Sequence, residues 1–335
     1  MARIPPKAGA IKVRSTDDGL QLADSILWFD SEGNGDLSFL SSAVAATRTK
    51  VPQVIATEET VKIMEAYRKR PNALICQYNR PFSIGRLKME LLPSGAVLGG
   101  ASLYVETDKG RLLYAPQLQT QKIPTVRQMQ LKKASTLVLG AFHPDPNSSL
   151  PNRKRERDRL IERVRTAINE RNEYPTILCN AISTAQEITK LLTDEGIPVA
   201  VHPTIFKVNK IYETCGSSLG RYSIYSKRTH TKQKVLLLPR PSTAGAMRRA
   251  LPDGMLLVVE ETMTDLTTPP PGRSFTDRFH LGSTVDGVEM REIISAVAPK
   301  ELYFFGPYAK RYVEEMKGSV PKIKPLFPFD QPALF

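Results

Sequence analysis

Hydrophobic and polar positions change their grammar near residue 150. Before it, short apolar or alternating runs at 25–30, 53–57, 73–76, 87–92, 101–106 and 137–139 are each bounded by turn residues. A period of two is what a strand with one buried face shows, so these runs predict strands. The turn Asp108-Lys109-Gly110 between SLYVET and RLLYA predicts a hairpin. A helix is expected near 58–69, beside a mostly antiparallel sheet.

Beyond 150 the period lengthens. Leu160, Ile161, Val164, Ala167 and Ile168 fall at helical spacing within 157–171. The segments PTILCNAI, IPVAVHP, KVLLLPR and MLLVVEE then read as strands. They alternate with STAQEITKLLTDEG, TIFKVNKIYETCG and STAGAMRRALPDG, which read as helices. Such alternation predicts parallel strands covered by helices. A proline-rich linker at 267–273 is followed by a helix (288–297), a strand (301–305), a second helix (308–317) and a proline-rich tail from 325. The expected organisation is a β-rich first part at 1–144, an α/β insert at 145–277 and a C-terminal return at 278–335.

Composition narrows the classes. No apolar run approaches the roughly 20 residues of a membrane span, and the first residues lack the apolar core of a secretory signal. A cytoplasmic or organelle-matrix protein without a membrane partner is expected. Cys76, Cys179 and Cys215 are too few and too scattered for a disulfide framework or a zinc site, so they are expected as reduced thiols. The net charge is +13, and residues 201–250 carry ten Lys/Arg against one acid, Glu213. A concentrated basic stretch is the footprint of a polyanion partner.

Five stretches then carry a resemblance. LSFLSSAVAAT (37–47) with VPQVIATEET (51–60), ELLPSGAVLGGASL (90–103), GRLLYAPQL (110–118), LGSTVDG (281–287) and ELYFFGPYA (301–309) follow one another in the order and spacing of a known family. The chain resembles the metallo-β-lactamase-fold nucleases with a β-CASP insert, above all the short exonuclease-like members, including those described as mRNA 3′-end-processing exonuclease-like. The resemblance implies an α/β (α+β) fold: a metallo-β-lactamase αββα sandwich interrupted by a β-CASP-like α/β domain.

Family chemistry uses two metal ions, usually zinc, held by imidazoles and carboxylates. Position by position, the ligand loop falls on Ser42, Val44, Ala46 and Thr47, the hairpin histidine on Ala96 and the bridging aspartate on Gln117. The histidine of the Asp-His-Ala-Asp motif falls on Thr284, the last ligand on Gly306, and an acidic position after the 137–139 strand on Gly140. The whole chain has four histidines, His143, His202, His230 and His280, fewer than the family's metal centre alone requires. The resemblance therefore implies a pseudoenzyme with no catalytic residue, no metal and no cofactor. Asp286 is kept, and an N-cap role explains it without chemistry. His202, after a buried strand, is the most site-like histidine, although an ordinary structural role accounts for it better.

What remains is binding equipment. Ser183 and Thr184 open a helix after a strand, where amide groups and the dipole favour a phosphate; a simple helix cap explains them equally well. The family's turn there reads GRAQE, and Ala185-Gln186-Glu187 is kept. Lys207, Lys210, Lys227, Arg228, Arg248 and Arg249 lie among Phe206, Tyr212, Tyr222 and Tyr225, the mixture of cations and stacking rings that holds single strands. The expected function is a nucleic-acid-binding or scaffold subunit in RNA processing or DNA repair. Its expected partners are RNA or single-stranded DNA and a hetero-complex with an active nuclease or other processing subunits. Two alternatives stay open: an active exonuclease or hydrolase with a relocated or metal-free site, and a purely structural subunit of a large assembly.

Overall fold

The computed structural model describes residues 11–326 except 17, 34, 47–49, 68–69, 227–232, 241–250, 252, 262–268 and 270–273. Thr47, Lys227, Arg228, Arg248, Arg249 and His230 lie outside the described residues, as do the expected helix at 242–251 and most of the linker. The chain forms two compact units. The first comprises Met1–Lys122, Arg127–Ser149 and Thr284–Phe335; the second comprises Ile123–Val126 and Leu150–Ser283.

The first unit holds two sheets. One runs in the order β1 (Val13–Thr16), β2 (Gly19–Leu22), β3 (Leu27–Phe29), β4 (Leu37–Phe39), β5 (Gln53–Ala56), β6 (Asn72–Ile75). The other begins with β7 (Phe82–Ile84), β8 (Leu87–Pro93), β9 (Ala101–Thr107), β10 (Gly110–Ala115) and β11 (Thr136–Gly140). Strands from the C-terminal return, Glu301–Phe305 (β18) and Lys322–Pro325 (β19), complete it beyond β11.

Period two sorts the side chains. Leu112 and Tyr114 of β10, Val138 of β11 and Phe305 of β18 pack with Phe29, Phe39 and Ile55 of the first sheet in one core between the sheets. Their neighbours Leu113, Leu137, Leu139 and Phe304 point the other way, against Met290, Ile293 and Tyr312 of two helices, Gly287–Val297 (α6) and Ala309–Glu315 (α7). On the far face of the first sheet, Val54 and Ala56 meet Val61 and Met64 of the helix Glu58–Ala66 (α2), which follows the single turn Ala43–Ala46 (α1). The layers are therefore helix, sheet, sheet, helix.

Strand direction departs from the expected antiparallel pattern. From β3 to β6 all pairs of the first sheet are parallel, as are β10–β11, β11–β18 and β18–β19. Alternation reports which face is buried and says nothing about partner direction, which here follows from crossovers such as α2 between β5 and β6. The strand β19 falls at the start of what the sequence presents as a tail.

The second unit is one parallel sheet. Its order is β14 (Tyr222–Ile224), β13 (Val199–Val201), β15 (Val235–Pro239), β12 (Thr176–Cys179), β16 (Leu256–Glu260), β17 (Asp277–His280). The helices α3 (Arg153–Arg171), α4 (Thr184–Asp194) and α5 (Pro203–Thr214) contribute Leu160, Val164, Ile188 and Ile205 to the core on one face. Because β17 pairs with β16, the return to the first unit begins at Thr284 rather than at 278. The observed class is mixed α/β.

One buried carboxyl ties the two sheets of the first unit. Asp30, just after β3, has φ +47° and is 3% exposed. It accepts from Ser41 N–H at 2.7 Å, after β4, and from the Tyr114 hydroxyl at 2.9 Å, in β10. Burial pushes its pKa from 3.8 up to about 6, with hydrogen bonds from Ser41 and Tyr114 opposing the shift. The folded protein thus holds this proton more tightly than the unfolded chain does. That contribution is fully present below pH 3.8 and is lost as pH rises through 6. Urea unfolding of the wild type should lose about 3 kcal/mol between those limits relative to Asp30→Asn; parallel pH profiles for the two proteins would contradict this.

Candidate functional site

The described positions of the expected metal centre lie on one connected set of loops in the first unit. Ala101 N–H donates to Ser41 O at 2.8 Å, joining the turn at 94–100 to the end of β4. Gln119 N–H donates to Ser94 O at 3.0 Å, and its side-chain amide donates to Thr284 O at 3.4 Å. Ala141 N–H donates to Phe305 O at 2.8 Å, and Tyr308 N–H to Ala141 O at 3.2 Å. Ser42, Ala96, Gln117, Thr284, Gly140 and Gly306 are all buried, and Val44 is half-buried. Ala46 is described only as backbone.

The Phe142 ring packs against two of these positions. A methyl group on Gly140 would run into both the Phe142 ring and the Pro116 carbonyl. At Gly306, where φ is +98°, it would lie 3.0 Å from the same ring and 3.2 Å from Ala141 O. Phe142 in turn meets Phe305 edge-on, ring centres 5.7 Å apart, and Phe305 stacks on Tyr114 at 5.8 Å. Among the described residues no group of three or more His, Cys, Asp or Glu could hold a metal ion. A two-metal centre does not fit these residues: its described positions offer a hydroxyl, an amide, an alkyl group or no side chain at all.

The retained polar residues have structural partners. Asp286 caps α6 through Glu289 N–H at 2.8 Å, and Glu289 returns a bond from Asp286 N–H at 3.1 Å, closing a capping box. Glu289 also accepts from the Thr120 hydroxyl. His202 is the N-cap of α5, its Nδ1 accepting from Thr204 N–H at 3.2 Å, and burial lowers its pKa. Burial raises the Cys76 thiol to about 11 and lifts Cys179 further, so neither is a ready nucleophile.

In the second unit the helix start at Ser183 and Thr184 differs from an open phosphate cradle. Ser183 is 4% exposed and makes no capping bond; its φ of +75° and ψ of −72° form a tight γ-turn, closed by Thr184 N–H to Ile182 O at 3.2 Å. Glycine takes that conformation easily, and glycine stands at this place in the family's turn. Ala185 N–H is spent on Asn180 O at 3.0 Å, and the Thr184 hydroxyl donates to Glu261. A carboxylate of the chain itself thus occupies the end of α4. Burial raises the Glu261 pKa, opposed by the Thr184 bond and the charge of Arg240.

The exposed cations lie elsewhere. Lys207 and Lys210 project from α5, and the Lys210 ammonium stands 5.2 Å from the Phe206 ring centre and 5.3 Å from that of Tyr222 while pairing with Glu213 at 2.8 Å. Those two rings meet edge-on at 5.7 Å and are only half-buried. Tyr212 is fully buried and offers no stacking face, because it falls on the inner side of α5. Sequence reasoning missed the buried pair Arg153–Glu187, at 2.5 Å, whose arginine also donates to Gly282 O. The retained Glu187 was its one visible sign.

No family model matches the chain. It is 20% identical over 312 residues to a protein from Opitutus terrae described as a probable DNA ligase, covering 89% of this chain and 29% of that protein. The chain thus spans less than a third of that relative's length. A solved structure of a protein of unknown function from Enterococcus faecalis V583 superposes with a TM-score of 0.60 at 10% identity, over 88% of this chain and 79% of that one. The two share their overall fold. Among the described residues no helix is long and apolar enough to cross a membrane.

The packing around Gly140 can be tested directly. Gly140→Ala should cost about 1–3 kcal/mol by overpacking. Phe142→Ala, which removes one of the two obstacles, should make the second change markedly less costly. Strict additivity of the two losses in chemical denaturation would show that the ring and the glycine do not meet.

Proposed function

We propose that the chain is a degenerate member of the metallo-β-lactamase-fold nucleases with a β-CASP-like insert, one that binds nucleic acid without cutting it. The observation that carries the reading is the donor set: Ser42, Val44, Ala96, Gln117, Thr284 and Gly306 bring no imidazole or carboxylate to the ligand positions that the resemblance implies, and Phe142 packs against Gly140 and Gly306. The helix–sheet–sheet–helix layering of the first unit and the all-parallel sheet of the second agree with such a fold.

Binding falls to the second unit. Lys207 and Lys210 are exposed on α5 beside Phe206 and Tyr222, and the rest of the basic stretch follows in sequence. Thr184 is better assigned to holding α4 against Glu261 than to a phosphate, and Ser183 to the γ-turn before it. The polyanion is DNA rather than RNA on this reading, because the curated relative is described as a probable DNA ligase. That relative carries its matching segment within a much longer chain, which favours work alongside other DNA-processing modules.

Fluorescence anisotropy with a labelled single-stranded DNA 20-mer of mixed sequence tests this. Affinity should fall steeply with salt, and Lys207→Glu with Lys210→Glu should weaken binding by about tenfold. Removing a cation that pairs with one phosphate should lower the slope of log K against log salt by about 0.7. Charge reversal at Lys227, Arg228, Arg248 and Arg249 should weaken binding further. Binding that is independent of salt or unchanged by all six reversals would refute the assignment.

A further inference from the structure

The first sheet ends in a strand that is open in every sense. β6 pairs with β5 on one side, and no described strand pairs with it on the other. Leu74 is 48% exposed, Ile75 50%, and Tyr67 at the end of α2 39%. Successive residues of a strand point to opposite faces. Exposure of both Leu74 and Ile75 therefore leaves apolar surface on each face at the end of the strand, beyond Ala73, which packs against the α2 cluster.

Its backbone is poised for a partner. Cys76 N–H donates to Ala56 O at 2.9 Å. In a parallel pair every second residue bonds to the same neighbour, so Leu74 turns to β5 with Cys76. Ala73 and Ile75 then direct their N–H and C=O groups to the open side. Two other edges are blunted in familiar ways. β19 carries Lys322 and Lys324 and ends in Pro325. β17 lies under α3, where the Arg159 guanidinium covers Phe279 at 4.2 Å and Arg163 pairs with Asp277 at 2.5 Å.

Charge selects the kind of occupant. Arg70 before β6 and Arg80 after it are exposed, and neither makes an ion pair with a described residue. In an antiparallel self-pair centred on Ile75, Arg70 of one copy would approach Arg80 of the other, which sets like charges together and disfavours a second copy. An acidic segment would meet both arginines favourably. We propose that β6 is a docking edge that takes an extended segment of a different protein, apolar in its centre and acidic at its ends, by strand addition.

The full-length chain can be titrated with the fluorescent synthetic peptide Asp-Glu-Val-Thr-Val-Ile-Glu-Asp. Binding should weaken at least about tenfold for Leu74→Lys and Ile75→Lys, and equally for a peptide whose acidic flanks are replaced by lysine. Both positions are half exposed, so thermal melting should be unchanged. In the wild type, amide exchange at Ala73 and Ile75 should slow when the peptide is added, a readout that needs no variant. Equal binding of the acidic and basic peptides, no slowing of those amides, or no binding at about 1 mM peptide would overturn the proposal. So would a dimer in sedimentation that Leu74→Lys dissolves, because β6 would then serve a second copy.

Discussion

A single aromatic ring pressed against two bare backbone positions sets the character of the first unit. Phe142 lies against Gly140 at the end of β11 and Gly306 at the end of β18, two parallel neighbours whose C-terminal ends face the same loops. A side chain at either place would have to displace the ring. The ring belongs to the core that runs through Phe305 and Tyr114 to Phe29, so displacing it would disturb the packing between the two sheets. Close-packed interiors tolerate such insertions poorly. Local geometry and the global core therefore impose the same requirement, which is a residue without a side chain beside the ring at both places.

Four buried carboxyl groups are held by the chain itself. Asp30 is satisfied by Ser41 and Tyr114, Glu187 by Arg153 and Arg157, Glu260 by Arg240 and Arg278, and Glu261 by Thr184. An unpaired buried charge is costly, whereas a paired one mainly fixes which elements meet. Arg153 shows the second effect. Its guanidinium bridges α4 and the backbone after β17, locking the start of α3 to both. Cations such as Lys207 that pair with no described residue are left to the outer surface, where they meet water.

Much of this was legible in the sequence, for identifiable reasons. Strands appeared where short apolar runs stand between turn residues, as in β10 and β18, helices where apolar residues recur at helical spacing, as in α3, and the Asp286 cap was visible as an acid before an apolar helix. Strand direction in the first sheet was hidden, because pairing partners leave no trace in alternation. The packing at these positions was only half visible. Absent histidines can be counted, but that Phe142 packs against both Gly140 and Gly306 depends on how β11 and β18 end side by side. Ser183 and Thr184 looked like an anion site because helix starts are; that Glu261, 77 residues later, fills the place is a long-range fact. Lys207 and Lys210 were found on the surface because charged positions on an amphipathic helix face outward.

The most direct measurement is metal content of the purified full-length protein, taken with a nuclease assay on the same sample after incubation with zinc or manganese. If the ligand positions bring no imidazole or carboxylate, the protein should retain well under one equivalent of either metal and release no nucleotides. One equivalent or more, retained through dialysis and accompanied by cleavage, would contradict the central claim that this fold holds nucleic acid without cutting it.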